Sequence, residues 1–258
     1  MKVITIFNNK GGVGKTTSVQ NIGAALAVFA NQKVLLIDAD QQASLSLSFG
    51  IRLKDGQANL ANFILQEASL EQTRIRYKDS LIDIIPTSLE VRKYDKKLEA
   101  NRNFPFNLKQ ALNKLYNQYD YVVIDCPPSI SAFTQMALVA CDKYYVPLQA
   151  EYFSYEGLRN FAVYIDELKQ VAPHIKLGGI FATRFNPKAK NKLSKEIVQN
   201  VQEQLGNKIL DSHIRENIAL MAAQAQGMHI FDYDRKCNGA QDYHTLTKEI
   251  WETLNAQI

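Results

Sequence analysis

Residues 3–17 read Val3-Ile4-Thr5-Ile6-Phe7-Asn8-Asn9-Lys10-Gly11-Gly12-Val13-Gly14-Lys15-Thr16-Thr17, and from Thr16 to Phe29 the apolar residues recur with helical spacing. A β-branched run, a glycine loop and a helix in immediate succession form a phosphate-binding turn. A nucleotide's phosphate chain carries several negative charges. A loop whose amides converge at a helix N-terminus offers it hydrogen-bond donors and the positive end of a dipole. Gly11, Gly12 and Gly14, with Val13 between them, let the backbone wrap closely. In this reading Lys15 reaches the β- and γ-phosphates, the Thr16 hydroxyl ligates Mg²⁺, and Thr17 completes the cradle. The usual pattern begins with glycine five residues before Gly14, where this chain has Asn9. Lys10 need not reach its own nucleotide and could point outward to a neighbouring subunit.

Outward from that turn, short β-branched runs alternate with longer helical patterns, which predicts a parallel sheet covered on both faces. The strands are read at residues 3–7, 34–37, 81–85, 121–124, 143–147 and 177–182, and the helices at 16–29, 106–116, 155–171, 193–205 and 241–254. Several strands are unbroken apolar runs, as strands buried on both faces require. With no linker or repeat, the expectation is one doubly wound, mostly parallel α/β domain over residues 1–258. A length of 258 residues with 46% apolar and 22% charged residues is enough to bury a core, which excludes a disordered tail. No stretch approaches eighteen uninterrupted apolar residues, so no membrane-spanning helix is expected. The apolar start is broken at Asn8-Asn9-Lys10, too soon for a signal-peptide core, and a cytoplasmic chain is expected. Cys126, Cys141 and Cys237 are odd in number and form no CxxC pair, the pattern of buried reduced thiols. The 30 basic against 26 acidic residues, net +4, are too mild an excess to identify a nucleic-acid partner, so the placement of charge matters more.

Two further strands end in acids. Val34-Leu35-Leu36-Ile37-Asp38-Ala39-Asp40-Gln41-Gln42 sets two carboxylates two residues apart, on one side of the pleat and at the strand end that faces the ligand crevice. One of them can orient a water toward the γ-phosphate and both can help hold the Mg²⁺ shell. The structural alternative is a carboxylate pair that caps the next helix. Tyr121-Val122-Val123-Ile124-Asp125-Cys126-Pro127-Pro128-Ser129 has the form of a Walker B strand, in which Asp125 binds Mg²⁺ through water.

The box Lys10-Gly11-Gly12-Val13-Gly14-Lys15-Thr16-Thr17 resembles the deviant Walker A motif of the ParA/MinD family of ATPases, and the two acidic strands follow in that family's order. The resemblance continues through residues 146–152 and Glu156-Gly157-Leu158, and Gly239-Ala240 fits the ParA branch more than the MinD branch. It implies ATP and Mg²⁺ as cofactors and an ATP-dependent sandwich homodimer in which Lys10 contacts the phosphates of the opposite protomer. It implies catalytic roles for Lys10, Lys15 and Asp40, the last placing the attacking water, and a metal site of Thr16, Asp38 and Asp125. The family motif has proline where this chain has Gln41. Relatives hold the adenine at the strand end corresponding to residues 181–187, which makes Asn186 and Pro187 base-contact candidates.

Lys188, Lys190, Lys192 and Lys195 fall in a segment with no acid, the most one-sided charge cluster in the chain. Such a patch binds duplex phosphates of any sequence by counterion release. The resemblance implies DNA contacts at Lys190 and at Arg215, in Ile214-Arg215-Glu216-Asn217, although Ala219 stands where relatives are often basic. It also implies a slow, partner-stimulated partition ATPase: the ATP dimer coats nucleoid DNA, and a ParB-type centromere-binding protein triggers hydrolysis and release. With a short lead before the phosphate loop, the N-terminal DNA-binding domain of larger relatives is not expected. Alternatives are a MinD-like membrane switch, positioning of a non-DNA cargo on the nucleoid, and a DNA-coating scaffold for which hydrolysis is incidental. Leu246, Ile250, Leu254 and Ile258 do line one face of the last helix beside Trp251, but Lys248 is opposed by Glu249 and Glu252. That face lacks the basic character that anionic lipids attract, so the helix is expected to pack on the core and no stable membrane association is expected. The cysteine contexts do not fit the nitrogenase iron-protein branch, and the tail lacks the tyrosines of the tyrosine-kinase branch.

Overall fold

The computed structural model describes residues 1–94, 103–149, 155–188 and 192–255. Eight strands form one sheet in the order β3-β4-β2-β5-β1-β6-β7-β8. They are β1 (Lys2–Ile6), β2 (Val34–Asp38), β3 (Ile75–Arg76), β4 (Ile82–Ile85), β5 (Tyr121–Asp125), β6 (Lys143–Gln149), β7 (Leu177–Thr183) and β8 (Ile209–Ile214). All neighbours pair in parallel except β3 with β4. The doubly wound, mostly parallel α/β fold expected from the sequence is the fold observed.

The unbroken apolar strands feed two cores. Leu35, Ile37, Val122 and Ile124 belong to one, while their neighbours Val34, Leu36, Tyr121 and Val123 belong to the other. This is the period-two alternation of a sheet buried on both sides. One face is covered by α1 (Lys15–Ala30) and the last helix, α11 (Asn238–Asn255), through Val19, Ile22, Leu26, Leu246 and Ile250. The other is covered by α5 (Asn107–Asn113), α6 (Ala132–Ala140) and α7 (Tyr155–Val171), through Leu112, Phe133, Met136, Phe161 and Ile165. Leu246, Ile250 and Leu254 are buried while Trp251 is exposed, so α11 packs on the core as expected; Ile258 lies outside the described residues. Among the described residues no helix is long and apolar enough to cross a membrane. Cys126 and Cys141 are buried and Cys237 is half-buried.

Two strands are absent from the sequence expectation. β3 has only two residues, and β8 reads ILDSHI, with polar residues interrupting its apolar ones because it lies at the sheet edge. Where its register with β7 shifts, the consecutive amides of Asp211 and Ser212 donate to the Glu249 carboxylate of α11, at 2.8 and 2.9 Å. The short helices α2 (Ser44–Ser48), α3 (Leu60–Ile64), α4 (Leu70–Thr73), α9 (Ile218–Ala225) and α10 (Ile230–Tyr233), and α6, are likewise additions. The loops after α2 and α9 meet backbone to backbone: a Cβ on Gly227 would stand 3.2 Å from the amide nitrogen of Gly50. The buried Gln20 of α1 donates its Nε2 to Ser48 O at 2.8 Å and to Met228 O at 3.3 Å, which holds the two loops together.

Packing between the neighbouring strands β6 and β7 is tight. A Cβ on Gly178 would lie 2.3 Å from Cζ of Tyr145, a fully buried ring whose hydroxyl is bonded to Thr253 Oγ1 at 2.6 Å. The ring has no room to retreat, so Gly178→Ala is expected to destabilise the fold by ~1–3 kcal/mol. A lowered denaturant midpoint checks this, and an unchanged midpoint contradicts it.

Candidate phosphate-binding site

β2, β5 and β1 are consecutive in the sheet, so the three segments singled out in the sequence meet at one crevice at their C-terminal ends. The loop after β1 is shaped by Gly12 (φ 75°) and Gly14 (φ 89°), left-handed conformations that suit glycine. Its start is pinned by Asn8, whose Nδ2 donates to Pro147 O at 2.7 Å and whose Oδ1 accepts the Lys10 amide at 3.0 Å. Its middle is held by Thr183 Oγ1 donating to Val13 O at 3.0 Å. At its end the amide and the hydroxyl of Ser18 both donate to Gly14 O, at 2.9 and 2.7 Å. The first turn of α1 carries no acid, which leaves the positive end of its dipole uncompensated. Lys15, only 7% exposed, lays its Nζ 2.8 Å from Lys10 O. Burial pulls the pKa of its ammonium down, while Asp125 and then Asp40 support the charged form. Lys10 is half-buried at the head of the loop.

Asp38 and Asp125 stand in register at the ends of adjacent strands, both fully buried. Asp125 Oδ2 accepts the Thr16 hydroxyl at 2.7 Å, whereas its Oδ1 is buried with no protein partner. Burial pushes both carboxyls up, Asp38 to about 7, and the charge of Asp38 raises Asp125 further. A divalent cation beside Thr16 and Asp125 would satisfy the orphaned oxygen and stabilise both carboxylates. The donor set is hard oxygen, as Mg²⁺ prefers, with room for water and phosphate ligands. Among the described residues no three His, Cys, Asp or Glu side chains gather into a metal cluster.

The pleat argument for Asp38 and Asp40 stops at the strand end. β2 finishes at Asp38, and Asp40 sits beyond it in a turn, half-buried, with Oδ1 accepting the Gln42 amide at 3.0 Å. Asp38 turns inward instead: it accepts the Ser46 amide at 2.8 Å, the Ser46 hydroxyl at 2.7 Å and the Asp40 amide at 3.2 Å. Ser46 belongs to the first turn of α2, so one of the two carboxylates does anchor the following helix.

A cavity of about 650 Å³ is lined by residues 11–17, Asp40 and Pro128 on one side and by Arg184, Asn217, Met221, Gln224 and Tyr243 on the other. Arg184, just past β7 and left-handed (φ 51°), and Asn217, before α9, fall in segments that the resemblance had marked, whereas Met221 and Gln224 on α9 and Tyr243 on α11 carry no signal in the sequence. Asn186, Pro187 and Lys188 line a neighbouring cavity of about 380 Å³, and Arg215 borders both. The Arg215 guanidinium grips Asp242, with its terminal nitrogen 2.6 Å from Oδ1, and its backbone amide donates to Oδ2 of the same carboxylate at 2.9 Å. Its charge is thus largely spent within the molecule. Lys188 and Lys195 are exposed, Lys192 begins α8 (Lys192–Leu205), and Lys190 lies outside the described residues.

Residues 1–177 match a family model described as "AAA domain" (AAA_31). The chain is 33% identical over 253 residues to the chromosome partitioning protein ParA of Caulobacter vibrioides, covering 97% of this chain and 94% of that protein. Its fold is similar to that of a cobyrinic acid a,c-diamide synthase from Mycobacterium smegmatis with bound ATP analog and magnesium, with a TM-score of 0.87 at 26% identity, covering 99% of this chain and 96% of that one. It is also similar to a putative plasmid partition protein of Borrelia burgdorferi bound to AMPPNP, with a TM-score of 0.79 at 27% identity, covering 100% and 99%.

Proposed function

The chain belongs to the ParA family of P-loop ATPases, and from that premise we propose that it is a DNA-partition ATPase whose ATP-bound homodimer coats duplex DNA non-specifically and is released by partner-stimulated hydrolysis. The observation that carries the reading is the convergence, at the ends of three adjacent strands, of a buried lysine, a Thr16–Asp125 pair with an unsatisfied carboxylate oxygen, and a second lysine at the loop head. Thr16 and Asp125 would hold Mg²⁺, with Asp38 behind them, and the ion would neutralise charge on the phosphates. Residues 11–17 bind the phosphate chain through backbone amides and Lys15. Asp40, which lines the cavity, orients the attacking water. Lys10 serves the opposite protomer of the dimer. Asn186 and Pro187, beside the main cavity, contact the base. The exposed Lys188 and Lys195, with Lys192 and Lys190, supply the phosphate-contacting surface, and the engagement of Arg215 with Asp242 leaves it a minor contributor. A ParB-type centromere-binding protein is the partner that triggers hydrolysis.

The test is binding to random-sequence duplex DNA and, in parallel, to anionic liposomes, each with ATP, ADP or no nucleotide. DNA binding that requires ATP and is lost at high salt is the expected result. Lys195→Ala should weaken it evenly across sequences and lower the slope of log affinity against log salt by about one. ATP-dependent liposome binding without DNA binding would overturn the reading in favour of a membrane switch.

A further inference from the structure

Thr17 lies in the first turn of α1, where its hydroxyl is met from across the cavity by a residue with no place in the phosphate loop. Gln224, on α9, points its Nε2 at Thr17 Oγ1, 3.2 Å away, and both residues line the cavity. A threonine hydroxyl has one proton and two lone pairs. With an amide N–H donating to one lone pair, the hydroxyl's own proton must go elsewhere. The carbonyl one turn back, Val13 O, often takes such a proton, but here it accepts Thr183 Oγ1 at 3.0 Å, and among the described residues the bond from Gln224 is the one that Thr17 Oγ1 makes. The open direction for the Thr17 proton is the cavity.

We propose that Gln224 is a positioning residue for nucleotide binding: by donating to Thr17 Oγ1 it orients the Thr17 hydroxyl as a hydrogen-bond donor toward a phosphate oxygen of the ligand. The inference rests on the reading of this cavity as a nucleotide site. It gives α9 a part in phosphate recognition that the glycine loop alone does not reveal. It also explains a polar side chain on the cavity side of a helix whose other residues are Ile218, Ala219, Leu220, Met221, Ala222, Ala223 and Ala225.

The test is a double-mutant cycle read by calorimetric titration with ADP and magnesium. Gln224→Met keeps length and volume but cannot donate; Gln224→Leu is carried alongside in case one variant fails to fold. Either is expected to raise the Kd for ADP about fivefold, the worth of one net hydrogen bond. In a Thr17→Val background the same change is expected to alter Kd by less than about twofold, because the group it acts through is gone. Equal losses in both backgrounds would show that Gln224 merely supports the wall, and no loss in the wild-type background would show that it does not act on binding; either result overturns the proposal. If the unaltered protein fails to bind ADP at all, the nucleotide reading falls and this inference falls with it.

Discussion

Lys15→Ala is expected to abolish the thermal stabilisation that ATP and magnesium confer on the unaltered protein. A ligand that binds only the folded state adds RT ln(1 + [L]/Kd), about 2.7 kcal/mol at one hundred times Kd, and for a domain of this size that amounts to roughly 5–10 °C in Tm. Lys15 is 7% exposed and sits where the loop, the N-terminus of α1 and the end of β5 meet. Among the described residues it is the one buried lysine or arginine, it lies where the phosphate charge would lie, and the loop's backbone amides alone would retain only weak binding. The ligand-free Tm will also change, since Lys15 Nζ bonds to Lys10 O and supports Asp125. The decisive quantity is therefore the difference with and without nucleotide in each protein. A variant that keeps the full shift would refute the placement of Lys15 on the phosphates.

Asp40→Ala is expected to lower the rate of ATP hydrolysis by about a hundredfold or more, the usual cost of losing a positioned acid–base group, while ATP binding changes by no more than a few-fold. Asp38 is a poor candidate for that role because its oxygens are taken up by Ser46 and the Asp40 amide in a fully buried position. Asp40 is half-buried and lines the cavity from a turn rather than a strand, where a carboxylate can face both water and the ligand. The variant should accumulate as an ATP-bound, DNA-bound form, measurable as slowed dissociation from duplex DNA. Hydrolysis at the normal rate would show that another group places the water.

The parts of the molecule that were legible in the sequence are those where a local pattern has one physical solution. A buried parallel strand must be apolar on both faces, and β1, β2, β5 and β6 announce themselves in this way. A glycine loop between strand and helix can hardly be anything but an anion site. The helical part of the cavity's second wall had no such signal. Gln224 and Tyr243 are ordinary helix residues in sequence, and they acquire meaning only because α9 and α11 fold back over residues 14–18. Tyr243, fully buried, places its hydroxyl 3.1 Å from Ser18 Oγ, one step from the Gly14 carbonyl. β8 was hidden because an edge strand need not be apolar. Arg215 shows a partner that its local sequence does not reveal: a carboxylate 27 residues later in the chain engages the guanidinium that by type and position suits a DNA contact.

The contact of Gly50 with Gly227, braced by Gln20, ties the helix that follows the Asp38–Asp40 turn to the helix that carries Gln224. If those two helices shift together, the far ends of the cavity are not independent sites but one linked equilibrium. Free energy gained by ordering either end is then shared with the other in equal measure, whichever part of the ligand arrives first.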